Sequence, residues 1–254
     1  MGRAHFAFSG YNEVMPEANV AIVTGGTGSV GRALLPLLIQ RNFKVAASYV
    51  LPEEAAGLEA DLDLDPDAED VLLRRVDATD ARAVEKFVQE AVDTYGHINV
   101  VASLVGGWAG GRDVEETDDI RFDRMIDLNL RSAFNAVRAT VPHLKHQDWG
   151  RIILVGSRHA VETPAGQAAY NVAKAGVIAL ARSVARELSD TDVTCNVLLP
   201  SVIDTEATRA ALPYADYVDW PKPAEIASVI DFLASRRSVV IDGATIPVWG
   251  AAAI

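Results

Sequence analysis

Residues 19–31, NVAIVTGGTGSVG, decide how this chain is read. Val20 to Val23 form a short apolar run in a segment that ends in glycines, which reads as a strand buried on both faces. Glycines follow at 25, 28 and 31, and RALLPLLIQ (32–40) then carries a helical apolar pattern. A glycine pattern alone is common, but one set between a strand and a helix reads as a phosphate-cradling turn. Gly25 permits the tight turn, Gly28 lets a diphosphate approach the backbone, and Gly31 lets helix and sheet pack closely. The helix N-terminus then faces the phosphates.

The alternation continues outward. Apolar runs at 43–50 (FKVAASYV), 71–80 (VLLRRVDATD), 98–107 (INVVASLVGG), 150–157 (GRIILVGS), 192–200 (DVTCNVLLP) and 243–250 (GATIPVWG) predict six more strands. Between the third and fourth, ARAVEKFVQEAVDTYG places Val84, Phe87, Val88, Ala91, Val92 and Tyr95 at helical spacing and ends on Gly96. Further helical patterns fill 122–146 and 168–188. Apolar strands separated by helices predict an α/β fold: a single-domain, Rossmann-type, doubly wound parallel seven-stranded sheet with helices on both faces. Residues 1–18 read as a loose N-terminal extension, with Met15 as an alternative start, and 19–254 as the dinucleotide-binding domain.

Composition excludes several function classes. The chain has 254 residues and a net charge of −12, so its surface repels nucleic acid and anionic membranes. No apolar run reaches the length of a membrane span. The single cysteine, Cys195, permits no internal disulfide, which fits a reducing cytoplasm; on an apolar strand it reads as a small buried hydrophobe. Residues 53–70 carry nine acids and no base. DLDLDPD there resembles a calcium loop, but Pro66 and Leu72 occupy the required glycine and glutamate positions, so a solvated segment is expected. His5, His97, His143 and His146 lack ligand spacing, and no metal site is expected. Trp149 reads as packing.

The choice of dinucleotide turns on the end of the second strand. A carboxylate there would bind the adenosine ribose hydroxyls. The strand ends Ser48-Tyr49-Val50 instead, with Glu53 and Glu54 further on. The missing acid removes repulsion against a 2′-phosphate, and Arg32 and Lys44 are the nearest bases in sequence, so the reading is NADP(H) or NAD(H) with a lean to NADP(H). Asp77, after the third strand, is placed to accept from the adenine amino group or to act as a turn residue.

SRHAVETPAGQAAYNVAK (157–174) carries the chemistry. Tyr170 and Lys174 are four apart and share a helix face. A phenol is a poor acid–base group at neutral pH, and a nearby ammonium would lower its pKa. Ser157, at the end of the fifth strand, is available to hold a substrate oxygen beside that phenol. Asn129, in DLNLRSAF, stands inside a helical pattern, where an amide is unfavourable without a task.

In this order the glycine loop, Asp77, Asn129, Ser157, Tyr170, Lys174 and the Pro200 turn with Thr205 resemble the short-chain dehydrogenase/reductase family over about residues 19 to 250. The resemblance implies that Tyr170 is the general acid in reduction, that Lys174 binds the nicotinamide ribose and lowers the Tyr170 pKa, that Ser157 orients a carbonyl and that Asn129 holds a relay water. It also implies cofactor contacts at Gly25, Thr27, Gly28, Ser29, Val30, Gly31, Tyr49, Asp77, Ala78, Val105, Gly106, Gly107, Pro200, Val202 and Thr205, besides Tyr170 and Lys174. A substrate lid near 201–222 and a homotetramer or dimer built on the helices near 122–146 and 168–188 are implied too. Ala133, Ala136, Ala175 and Ala179 allow close packing there. Three positions depart from the family pattern: TGxxGxxG replaces TGxxxGxG, SLVG (103–106) replaces Asn-Asn-Ala-Gly, and Pro200-Ser201 replaces Pro-Gly.

GGWAGG (106–111) and LPSVIDTEATRAALPYADYVDW (199–220) resemble the dihydropteridine reductases, a divergent branch of that family. On this reading Gly106 and Gly107 admit the cofactor to the backbone and Trp108 leans toward substrate, with His159, Tyr217 and Trp220 as further substrate contacts. That branch uses NADH, with an aspartate where Tyr49 stands, and lacks the counterpart of Ser157. The expected function is therefore NAD(P)-dependent reduction of a small-molecule carbonyl. Reduction of a quinonoid dihydropterin is the alternative, and a non-catalytic dinucleotide sensor is the reading from another class.

Overall fold

Each apolar run becomes a strand because its side chains are buried on both faces. The computed structural model describes residues 18–62 and 70–251. In chain order it contains β1 (Asn19–Thr24), α1 (Ser29–Gln40), β2 (Phe43–Tyr49), α2 (Pro52–Asp61), β3 (Val71–Arg75), α3 (Ala81–Tyr95), β4 (Val100–Ser103), α4 (Asp119–Ile126), α5 (Ser132–Leu144), β5 (Gly150–Val155), α6 (His159–Glu162), α7 (Ala168–Glu187), β6 (Val193–Pro200), α8 (Glu206–Ala211), α9 (Pro223–Leu233) and β7 (Thr245–Val248). The expected extension, with Met15, and the centre of the acidic segment (63–69) lie outside the described residues.

The seven strands form one sheet, in the order β3-β2-β1-β4-β5-β6-β7, with every pair parallel. On one face Leu34, Leu35 and Leu38 of α1 pack with Ile226 and Ile230 of α9 over Val23, Val45 and Ile153. On the other, Val84, Phe87 and Val88 of α3, Val137 of α5 and Val177 and Ala181 of α7 cover Ile22, Val101 and Ile152. Each of the larger aliphatic side chains contributes roughly 2 kcal/mol by leaving water. Winding reverses between β1 and β4, so the loops after these strands part at the carboxyl edge and leave a crevice.

Asp80 caps α3, accepting from Arg82 N and Ala83 N, and Gly96 ends it at φ 86°. β3 stops at Arg75, short of the expected 80, because Asp77 Oδ1 accepts from Thr79 N and turns the chain. The helical stretch expected at 122–146 is divided: a π turn over Asp127–Arg131 separates α4 from α5. Asn129 Nδ2 and Ser132 Oγ donate to Met125 O and Leu128 O, each four residues back, and so compete with the regular helix ladder. Ala133 and Ala136 are buried inside the protomer, which removes them from the expected interface, whereas Ala175 and Ala179 are exposed. Trp149 is buried packing, with the guanidinium groups of Arg151 and Arg236 against its ring, and Cys195 is buried. No helix among the described residues is long and apolar enough to cross a membrane.

Candidate active site

The loop after β1 is built as its glycines require. Gly25 takes φ 73°, its N–H donates to Ser48 Oγ (3.2 Å), and Gly26 N donates to Ser48 O (2.8 Å). A Cβ on Gly31 would stand 2.7 Å from Gly26 Cα and closer still to its carbonyl, so α1 seats only with glycine there. Gly28 differs: a Cβ would meet only Gly25 O, at 3.3 Å. Gly28 lies at the N-terminus of α1, which has no side-chain cap and no acid in its first turn. Donors left uncapped beside an open glycine fit the diphosphate of a dinucleotide.

That loop forms one wall of a cavity of about 430 Å³. Gly25, Gly28, Ser29, Val30, Gly31, Gly106, Gly107, Trp108, Ser157, His159, Tyr170, Lys174, Pro200, Val202 and Thr205 all line it. β5 ends just before Ser157, and the first two turns of α7 carry Tyr170 and Lys174 across from it. Ser157 and the Tyr170 phenol face the same cavity, the serine near enough to favour the phenolate. Asn129 stands behind the wall: Oδ1 accepts from Gly107 N (3.1 Å) and Nδ2 donates to Gly107 O (2.9 Å) and Met125 O (3.1 Å). Its amide thus clamps the loop after β4, and the expected relay-water role has to share a side chain already engaged at both ends.

The charges differ from expectation in one respect. Lys174 is buried, and burial pushes its ammonium down to about 8. The expectation that Lys174 lowers the Tyr170 pKa is not met: burial raises the phenol, and the nearby Ser157 offsets this only in part. The reason is geometric, since Lys174 Nζ donates to Val155 O (2.9 Å) and stands 6.0 Å from the Tyr170 ring centroid.

The glycines after β4 also serve a purpose other than the expected one. A Cβ on Gly106 would stand 3.0 Å from both Asn129 Oδ1 and Lys174 Nζ, and one on Gly107 2.7 Å from Leu128 Cδ2. They make room for the protein's own side chains. Trp108 is more than half exposed at the cavity, folded over Gly110, with Nε1 donating to Gln167 Oε1 (2.6 Å).

Other expected contacts stand off the cavity wall. Thr27 is buried, its hydroxyl donating to Glu54 Oε2 (2.9 Å). Tyr49, Asp77 and Ala78 lie at the carboxyl ends of β2 and β3, on the same sheet edge as the glycine loop. Val105 packs beside Gly25. Tyr217 and Trp220 are not on the wall; their rings pack together at 5.8 Å, with the Arg209 guanidinium 4.6 Å from the Tyr217 ring. Of the segment expected as a lid, Ser201, Val202, Ile203 and Thr205 reach the cavity together with Thr208, Ala211 and Leu212, from α8 and the residue after it. Lys44 falls at the amino end of β2, paired with Asp70, far along the strand from Tyr49. Arg32 is drawn to Thr27 O (3.0 Å) and Glu54 O (2.7 Å). The base missed in the sequence is Arg75, which registers beside Tyr49 and donates to Val50 O (3.1 Å). Only strand pairing brings it there. Gln167 was missed as well, although its place three residues before Tyr170 on a helix was a usable signal.

Comparison with known proteins agrees with this geometry. Residues 19–214 match the family model described as short chain dehydrogenase. A 3-oxoacyl-[acyl-carrier-protein] reductase, MabA, of Mycobacterium bovis is 33% identical over 240 residues, covering 90% of each chain. The FabG reductase of the same description from Thermotoga maritima is 29% identical, over 92% of this chain and 97% of its own. Among solved structures, a short-chain dehydrogenase/reductase from Serratia marcescens superposes with a TM-score of 0.83 at 29% identity, covering 91% of this chain and 96% of that one.

Proposed function

The chain belongs to the short-chain dehydrogenase family, and on that premise we propose that it is a ketone reductase that uses NADPH. The observation that carries this reading is that Ser157, Tyr170 and Lys174 meet on the wall of one cavity with the glycine loop. The cofactor, once bound, would supply a hydride to the carbonyl carbon. Ser157 and Tyr170 hold the carbonyl oxygen between them. As the C=O electron pair moves onto that oxygen, the Tyr170 hydroxyl gives it a proton. A phenol raised by burial stays protonated across the neutral range, which suits a general acid in reduction. Gly28 and the α1 N-terminus would hold the diphosphate, and the Lys174 ammonium the nicotinamide ribose. Arg75, beside the acid-free end of β2, would meet a 2′-phosphate.

The related 3-oxoacyl reductases are ketone reductases by name, which supports the carbonyl over other acceptors. Exposed Trp108 on the cavity wall favours a flat ring, the one observation on the side of a dihydropterin. Exposed Phe134 on α5 and Val172 on α7 support a dimer or tetramer through those helices. The test follows NADPH and NADH oxidation with a ketone panel and with a quinonoid dihydropterin, in wild type and Arg75→Ala. Turnover with ketones and a roughly tenfold rise in the NADPH KM alone in Arg75→Ala support the reading. Turnover confined to the pterin, or to NADH, refutes it.

A further inference from the structure

The wall opposite the glycine loop carries a polar chain that the reaction does not require. Trp108 Nε1 lies 2.6 Å from Gln167 Oε1, and His159 Nδ1 lies 3.2 Å from the same oxygen. An indole N–H can only donate, so Gln167 presents its carbonyl oxygen here and not its amide nitrogen. An oxygen that already accepts from Trp108 can only accept from His159 as well. The proton of neutral His159 is therefore on Nδ1, and Nε2 is left with a lone pair. His159 lines the cavity, its ring edge-on to Tyr170 at 6.3 Å between centroids, and its backbone N–H donates to Ser157 Oγ (3.2 Å). The ring is thus fixed beside the point where a carbonyl oxygen would sit, in a cavity whose neighbouring wall is Val202, Ile203, Ala211 and Leu212.

We propose that His159 selects the substrate by offering Nε2 as a hydrogen-bond acceptor to a hydroxyl beside the reacting carbonyl, so that the preferred substrate class is a hydroxyketone. This rests on the reading of the site as a ketone reductase and adds a requirement that a simple ketone does not meet. Gln167 is a positioning residue: it holds the tautomer and touches no substrate. Trp108 in turn holds Gln167, which gives the exposed indole of GGWAGG a task besides stacking.

Two measurements test this. The first compares acetoin with butanone, which differ by one hydroxyl next to the carbonyl. Wild type is expected to favour acetoin by about tenfold in kcat/KM, the effect of one net hydrogen bond and a buried acceptor left unpaired. In His159→Leu the ratio falls toward one, and in Gln167→Met, where the tautomer is released, it falls part of the way. A ratio that is near one in wild type, or unchanged in His159→Leu, overturns the proposal. The second needs no turnover: nitrogen NMR of the imidazoles, with His159 assigned by its loss in His159→Leu. Pyrrole-type Nδ1 and pyridine-type Nε2 support the assignment, and the reverse pattern overturns it. Should wild type reduce neither ketone, the reductase reading fails by the first measurement, and the second still decides the polarity of His159.

Discussion

Two glycine clusters meet at the carboxyl edge of one sheet, and they are glycine for opposite reasons. In the loop after β1, Gly25 and Gly31 shape the turn and seat α1, while Gly28 keeps one face open to the cavity. In the loop after β4, Gly106 and Gly107 also line the cavity, but the space their Cβ atoms would take is filled by Asn129, Lys174 and Leu128. The first cluster leaves an approach open from outside; the second lets Asn129, Lys174 and Leu128 close up behind the cavity wall. A glycine run in a sequence marks close approach, and the identity of the approaching group has to come from the fold.

The sharpest way to break this contrast lies at Lys174, the group that crowds Gly106. Its folded pKa, about 8, is below the ordinary lysine value of 10.5. Below pH 8 both folded and unfolded chains hold the proton, and the folded state bears the cost of a buried ammonium. Between pH 8 and 10.5 the unfolded chain binds more proton, so stability rises with pH. Wild type should gain roughly 3 kcal/mol over that window relative to Lys174→Met, as measured by denaturant unfolding at several pH values. The variant should also lose at least about a hundredfold in kcat/KM, and wild-type kcat/KM should decline above pH 8 as the charge is lost. Parallel stability curves for the two proteins would mean that the ammonium is not buried as described.

Gly31→Ala comes next. Its Cβ collides with Gly26 backbone, which cannot swing aside, so a loss of about 3 kcal/mol or more is expected in thermal or urea unfolding. The smallest effects sharpen the comparison most. Gly28→Ala should leave stability within about 1 kcal/mol and weaken cofactor binding about tenfold, read by fluorescence titration. Gly106→Ala should shift the balance: kcat falls about tenfold as Asn129 and Lys174 are displaced, and cofactor affinity falls less than in Gly28→Ala. Equal effects of the two substitutions on affinity would erase the distinction.

Much of this was legible in the sequence because it is local. The strand–glycine–helix unit, the Asp80 and Gly96 ends of α3, and Tyr170 with Lys174 on one face of α7 depend on residues within a few turns of each other. What escaped depends on register and burial. Arg75 meets Tyr49 only through β2–β3 pairing, and the clamp of Asn129 on Gly107 spans 22 residues. The Tyr170 pKa went the other way because four-residue spacing reports proximity and says nothing of desolvation. Tyr217 and Trp220 were assigned to the cavity on motif spacing, and their packing on each other, with Arg209 over the Tyr217 ring, could only be seen in the folded chain.

The central claim is that Tyr170 delivers the proton in a reduction carried out between the two glycine clusters. Single-turnover oxidation of pre-bound NADPH by excess ketone, in wild type and Tyr170→Phe, tests it with cofactor binding already complete. The account predicts a rate at least about a hundredfold lower in the variant, with the NADPH Kd unchanged. A Tyr170→Phe protein that oxidises bound NADPH as fast as wild type would contradict it.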